Sequence, residues 1–397
     1  GEIIQRLFGH RGESIFSVTV SPDGQTAITA GGGLLRFWDI SEDTSAQVFE
    51  EHKTDSIMAL AISPDGTKAI STSLFSPDEA ENEAILWDTG TVEVIHRLPG
   101  SYGSALFLPD GSSAVLGEDL DSNYFWDGDL EMALVRWDIE SGELLKRTVI
   151  PDSAVAIDMK ISPDEKSIVA GTISNNLVHF DIETFTLLNR LTSNDEAEWF
   201  VSTAISPDGN SALAGGDLGD IVLFDLTTGE EIRRYSPGSV TAGLAMRADG
   251  EQFVSAGSDN SLVRWDFTSG EAIQTYNGHT SEVTGVTFTA DESQIVSSSA
   301  DGSLILWDAA SGEPLRTFSE HGAFINKLVL SPGGELAYSA ADDGKVIVRP
   351  IAPLAIDEIL AHIADNRILH DFTCVERKQY RILPLCDADG VVPDSGN

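Results

Sequence analysis

Short apolar runs of about six residues, separated by turns rich in Ser, Pro, Asp and Gly, fill most of the chain from residue 15 to residue 350. Ile15-Phe16-Ser17-Val18-Thr19-Val20 leads into Ser21-Pro22-Asp23-Gly24, and Thr26-Ala27-Ile28 follows. Runs of this length bounded by Pro and Gly predict strand, tight turn, strand, with Pro fixing φ for a type I turn. The unit recurs as Ser63-Pro64-Asp65-Gly66, Leu108-Pro109-Asp110-Gly111, Ser162-Pro163-Asp164-Glu165 and Ser206-Pro207-Asp208-Gly209. Arg247-Ala248-Asp249-Gly250, Thr289-Ala290-Asp291-Glu292 and Ser331-Pro332-Gly333-Gly334 complete the series. Successive third positions lie 41 to 45 residues apart, with one gap of 54. A period near 40 built only of strands is the mark of a repeat array.

A second mark closes most units: Trp38-Asp39, Trp87-Asp88, Trp137-Asp138, Phe180-Asp181, Phe224-Asp225, Trp265-Asp266 and Trp307-Asp308. Gly278-His279, Ser299, Asp301 and Trp307-Asp308 together resemble a WD40 repeat, and the likeness runs over roughly residues 2 to 350 in eight units. The resemblance implies an all-β, eight-bladed WD40-type β-propeller and a structural network of His279, Ser299, Asp301 and Trp307 that ties the strands of a blade to its loops. Gly-His is intact only at Gly9-His10 and Gly278-His279, and the last unit ends Arg349-Pro350 in place of Trp-Asp.

Each blade needs four strands, a to d from the axis outward. The chain supplies eight a–b–c triplets but only seven outer strands between them, near 46–50, 92–97, 144–149, 186–191, 220–235, 272–276 and 315–318. The missing strand is at the start: Ile3-Ile4-Gln5-Arg6-Leu7-Phe8-Gly9-His10 aligns with Ala272-Ile273-Gln274-Thr275-Tyr276-Asn277-Gly278-His279. Residues 3–7 are therefore expected to complete the last blade, which closes the ring and removes exposed sheet edges. Domain one is then 1–350. In 351–397, Leu354, Ile356, Ile359, Leu360 and Ile363 recur at helical spacing after Pro353, predicting an amphipathic helix at 354–366 followed by a tail. Cys374 and Cys386, with 11 residues between them, either close one small loop in an oxidising compartment or stay as two reduced thiols. The tail resembles short tails that follow propellers in large bacterial signalling proteins, and a helical cap on the ring is the plainer reading.

Composition narrows the function. The chain of 397 residues has 24 Lys+Arg against 64 Asp+Glu, a formal charge of −40. That argues against a nucleic-acid backbone or an anionic membrane surface as main partner, and no run of about 18 apolar residues would insert in a membrane. The charge tilts the expected setting towards the extracellular or cell-surface side without naming it. Catalytic signatures are absent: there is no G-x-S-x-G, no phosphate loop and no H-E-x-x-H. Eight-bladed rings also occur in quinone-dependent dehydrogenases and peptidase caps, but neither cofactor ligands nor a hydrolase region is present in this sequence, so no cofactor is expected.

Two units are lengthened between strands b and c, at 73–83 and 117–131. In a propeller the b–c and d–a loops share a face, so these insertions and the d–a segment 194–200, which carries Trp199, are expected on one rim, where binding concentrates. The longer insertion combines six carboxylates with Tyr124, Phe125 and Trp126, aromatics that anchor interfaces or fold back on the ring. Asp119, Asp121, Asn123, Asp127 and Asp129 are oxygen ligands spaced for calcium, but Tyr124 and Leu130 occupy the positions where an EF-hand needs Gly and Glu. A looser calcium site and a solvated acidic loop both fit. The expected function is a non-enzymatic scaffold for a protein partner or for self-assembly. A sensing module of a larger bacterial signalling protein is the alternative, and an eight-bladed propeller enzyme the third reading.

Overall fold

In the computed structural model the chain forms eight four-stranded antiparallel sheets. The structure describes residues 5–8, 14–31, 34–40, 47–49, 57–73, 82–91, 93–120, 131–153, 156–172, 174, 176–193, 199–319 and 321–351. Among the described residues there is no helix. The expected helix at 354–366 and the Cys374–Cys386 tail lie outside them.

Blade 1 holds strands a Ile15–Val20, b Thr26–Gly31, c Leu34–Asp39 and d Gln47–Phe49. Blade 4 runs Ala156–Ile161, Ser167–Thr172, Asn176–Asp181, Leu187–Thr192, and blade 7 runs Val283–Phe288, Gln294–Ser299, Leu304–Asp308, Pro314–Phe318. The other blades repeat that order, so the expected outer strands are all found. Blade 8 differs: Ile325–Leu330, Leu336–Ala341 and Lys345–Pro350 take their outermost strand from the amino terminus, Gln5–Phe8. That strand pairs antiparallel with the register Gln5↔Val348, Arg6↔Ile347, Leu7↔Val346 and Phe8↔Lys345. The ring is eight-bladed and closed by its first strand; Ile3 and Ile4, part of the expected span, lie outside the described residues.

Strand position decides residue type. Strands b are buried along nearly their whole length, as in Ser167–Thr172, while strands d expose apolar residues such as Leu144, Leu145, Leu187 and Leu188 on the outer edge. Every strand a carries a bulge near its start, between Ile15 and Ser17 in blade 1 and between Ile325 and Lys327 in blade 8. Such bulges add twist where the strands crowd round the axis.

The a–b turns are as the sequence reads them. In blade 1 the Gly24 amide donates to the Ser21 carbonyl at 2.8 Å, and the Ser21 hydroxyl donates to Asp23 at 2.5 Å. The fourth residue adopts positive φ, which suits Gly24 but also falls on Glu165 and Glu292.

The apolar core is eight clusters, one at each junction between neighbouring blades. The closing junction packs Ile15, Val18 and Trp38 of blade 1 on Tyr338, Ala340, Val346 and Val348 of blade 8. Each blade buries its faces only against its neighbours, so an open ring would leave one junction unmade.

Candidate functional site

Two features carry the chemistry of the ring: the polar struts inside blades, and the charges on its innermost strands. Blade 7 shows the first in full. The Trp307 indole donates to the Ser297 hydroxyl at 2.9 Å, His279 Nε2 lies 2.7 Å from that hydroxyl, and His279 Nδ1 lies 3.1 Å from Asp301. One donor order satisfies every group: Trp307 to Ser297, Ser297 to Nε2, and Nδ1–H to Asp301. Asp301 also accepts from the Thr280 amide at 2.8 Å and from the Ser303 hydroxyl at 2.6 Å. Burial pushes the Asp301 carboxyl up, but Ser303, Thr280 and His279 outweigh it and hold it at about 2. Burial lowers His279, opposed by the Asp301 charge.

The expected serine needs correction. Ser297, not Ser299, joins Trp307 to His279; Ser299 instead donates to the Ser281 carbonyl at 3.0 Å and accepts from the Asp301 amide. The register explains it. Trp307 stands opposite Ile295, so its indole reaches the residue two further along strand b, which is Ser297. The rule holds in other blades. Trp38, Trp87 and Trp265 donate to Thr29, Ser71 and Ser255, while Phe180 and Phe224, which have nothing to donate, face Ala170 and Ala214 at that position. Trp137, opposite Ala114, departs from it, because the residue two further along its strand b is Leu116, which has nothing to accept with. Blade 8 keeps the imidazole part: His321 lies 2.8 Å from Ser339 and 3.1 Å from Asp343, and Arg349 stands in the Trp position with its guanidinium 4.3 Å from the Phe318 ring centre.

Ser297, His279 and Asp301 have the connectivity of a nucleophile, a base and an orienting carboxylate. Ser297 is completely buried and already engaged by both the indole and the imidazole, so no substrate atom reaches it. The trio is a strut.

It also sets a pH dependence. His279 and His321 are held below their ordinary value of 6.5 in the folded chain, so the unfolded chain binds more protons as pH falls through about 6.5, and stability is lost in that direction. The urea midpoint is expected to fall less between about pH 7 and pH 5.5 in His279→Gln/His321→Gln than in the parent, since the charge of the whole chain changes alike in both. Parallel profiles would contradict this assignment.

The second feature was not anticipated from the sequence. The eight strands a line the central channel, and only three of their residues are charged: Asp158 and Lys160 in blade 4, Lys327 in blade 8. Blades 4 and 8 face each other across an eight-membered ring. Lys160 Nζ lies 2.5 Å from Asp158 Oδ1, and Asp158 Oδ2 accepts from the Thr203 amide at 2.8 Å and its hydroxyl at 2.7 Å. Burial pushes the Asp158 carboxyl up, but Lys160, Thr203 and the more distant Lys327 together bring it below the ordinary value. Burial lowers the Lys327 ammonium against the pull of Asp158. A usable signal lay in the sequence: a lysine inside an inner strand of a chain poor in lysine.

Of the rim residues singled out above, the structure describes Asp119 and Trp199. Asp119 ends strand b of blade 3 paired with Met132, and the Leu120 amide donates to the Glu131 carbonyl, so the two stems of the insertion are joined. Asp121, Asn123, Tyr124, Phe125, Trp126, Asp127 and Asp129 lie outside the described residues. Trp199 is 45% exposed, and its backbone is clasped to the b–c turn of its own blade by Asp217, whose carboxylate accepts from the Trp199 amide at 2.6 Å and whose backbone amide donates to the Trp199 carbonyl at 3.0 Å. Among the described residues no three His, Cys, Asp or Glu side chains gather in a way that would hold a metal ion, and no helix is long and apolar enough to cross a membrane.

Four stretches, residues 1–39, 43–88, 270–308 and 312–348, match the WD domain, G-beta repeat family. The chain thus carries WD40 repeats in four places and is an eight-bladed β-propeller. It is similar to Autophagy-related protein 16 of Arabidopsis thaliana, at 25% identity over 99 residues; these are 25% of this chain and 19% of that protein, so the likeness spans about a fifth of that relative's length. Its fold is that of the computationally designed Ika8 protein, whose crystal structure superposes with a TM-score of 0.72 at 21% identity, covering 88% of this chain and all of the designed one.

Proposed function

We propose that this protein is a non-enzymatic platform on which a protein partner or a second copy of the chain assembles, using the face formed by the b–c and d–a loops. WD40 propellers are typically protein-interaction scaffolds, and the reading for this chain rests chiefly on Trp199. A large aromatic left nearly half exposed, on a backbone clasped by Asp217, is a rigid apolar anchor of the type that dominates interfaces. The joined stems at Asp119 and Glu131 give the long acidic insertion of blade 3 a fixed base. A charge of −40 would steer a basic partner towards such a face.

The test replaces Tyr124, Phe125 and Trp126 together with Ala, and Trp199 with Ala separately. Self-association by sedimentation and the proteins retained by immobilised chain are compared with the parent. Each replacement is expected to weaken association by about tenfold or more, a hot-spot loss, while the melting temperature stays put. Association unchanged in both would remove the proposal.

A further inference from the structure

The three charges on the inner strands sum to +1 in a chain whose total is −40. Asp158 Oδ1 takes Lys160 and Oδ2 takes both donors of Thr203. Among the described residues no carboxylate lies within ion-pair distance of Lys327, whereas the exposed Lys166 has Asp164 at 3.3 Å and Lys345 has Asp343 at 3.0 Å. Lys327 is exposed to the channel, and its charge feels Asp158 and Lys160 from the opposite blade. An ammonium exposed to the channel with no carboxylate beside it keeps its donors for an anion that enters there.

The wall beside it leaves room. At the position equivalent to Lys327 in the inner strands, just past the bulge, blades 6 and 7 carry Gly243 and Gly285, blades 1, 2, 3 and 5 carry Ser17, Ala59, Ser104 and Ser202, and blade 4 carries Asp158, the carboxylate that holds Lys160. The cations of the inner strands are Lys327, at this position in blade 8, and Lys160, two residues further along the inner strand of blade 4. Lys160 uses one donor on Asp158 and keeps two; Lys327 keeps three.

We propose that the central channel binds one oxyanion, a carboxylate or a phosphate, on the ring axis between Lys327 and Lys160, with Asp158 and Thr203 holding Lys160 in place. The site is separate from the loop face and does not depend on that reading. Lysines act here as point charges, which accept either oxyanion without the bidentate geometry that an arginine would impose. The acidic surface repels anions at long range, so binding is expected to hold or strengthen as salt screens that field, up to the point where chloride competes.

Calorimetric titration of the whole chain at fixed ionic strength tests it, with inorganic phosphate in one arm, acetate in a second and sodium chloride as the blank. One site per chain is expected in the phosphate arm, the acetate arm or both, and which arm binds names the source. Lys327→Met is expected to weaken that binding by about tenfold or more, the loss of one charge-assisted contact. Lys327→Gln covers the case in which the methionine variant fails to fold, and the unaltered melting profile of whichever variant is used shows that the ring is intact. No heat above the chloride blank in both arms, or equal affinity in the folded variant, overturns the proposal.

Discussion

A chain lacking residues 1–8 is expected to unfold at a clearly lower temperature and to self-associate. Gln5–Phe8 is the outer strand of blade 8, and its removal breaks the ladder to Val348, Ile347, Val346 and Lys345. Four residues of ladder at a net ~1 kcal/mol per hydrogen bond amount to about 2–4 kcal/mol. The freed edge of Lys345–Pro350 is then a row of unpaired amides and carbonyls beside buried Val346, Ile347 and Val348, a template for pairing with another chain. Calorimetry and sedimentation read the two effects. Unaltered melting and no association would mean that the first strand adds nothing to closure.

Trp307→Ala is expected to cost about 3–5 kcal/mol, the usual range for emptying a large buried aromatic site. The indole is completely buried, packs edge-on to Tyr276 at 5.7 Å, and supplies the hydrogen bond that occupies Ser297. Trp307→Phe keeps most of the packing but removes that donor, so its cost is expected nearer ~1–3 kcal/mol. Chemical denaturation of the two variants separates cavity from hydrogen bond. Equal losses would mean that the Ser297 contact carries no weight.

Much of this was legible because a repeat writes the same physics eight times. A single Ser-Pro-Asp-Gly turn is an ordinary hairpin signal; eight turns of that kind near one period, with Trp or Phe before Asp at the end of seven of the eight third strands, define blades. Counting strands also located the closing strand, since Ile3–His10 has the form of Ala272–His279, and Gln5–Phe8 pairs with Lys345–Val348. The pairing of Trp with Ser or Thr, and of Phe with Ala, was equally present in the sequence. It becomes visible only once the register sets Trp307 opposite Ile295 rather than Ser297. Choosing Ser299 placed the hydroxyl one strand-step too far, at the mouth of the turn, where it serves the backbone of Ser281 and Asp301.

The channel charges were harder to see for a different reason. Asp158, Lys160 and Lys327 are 167 or more residues apart across the two groups, and each looks like a surface residue in its own strand. Their meaning depends on closure, because only in a ring of eight do blades 4 and 8 face one another. The long acidic insertion is the converse case: its composition is conspicuous, but no periodicity fixes the path of Asp121 to Leu130, and a sequence pattern without a period carries no geometry.

Everything from the loop face to the channel follows from the ring closing on its own first strand. Hydrogen exchange at the amides of Val346, Ile347 and Val348 tests this most directly. Protection in the whole chain comparable to that of Leu304–Asp308, the same strand of blade 7, and its loss when residues 1–8 are removed, is the result expected. Equal exchange at these amides with and without the first eight residues would contradict a closed circle of eight blades.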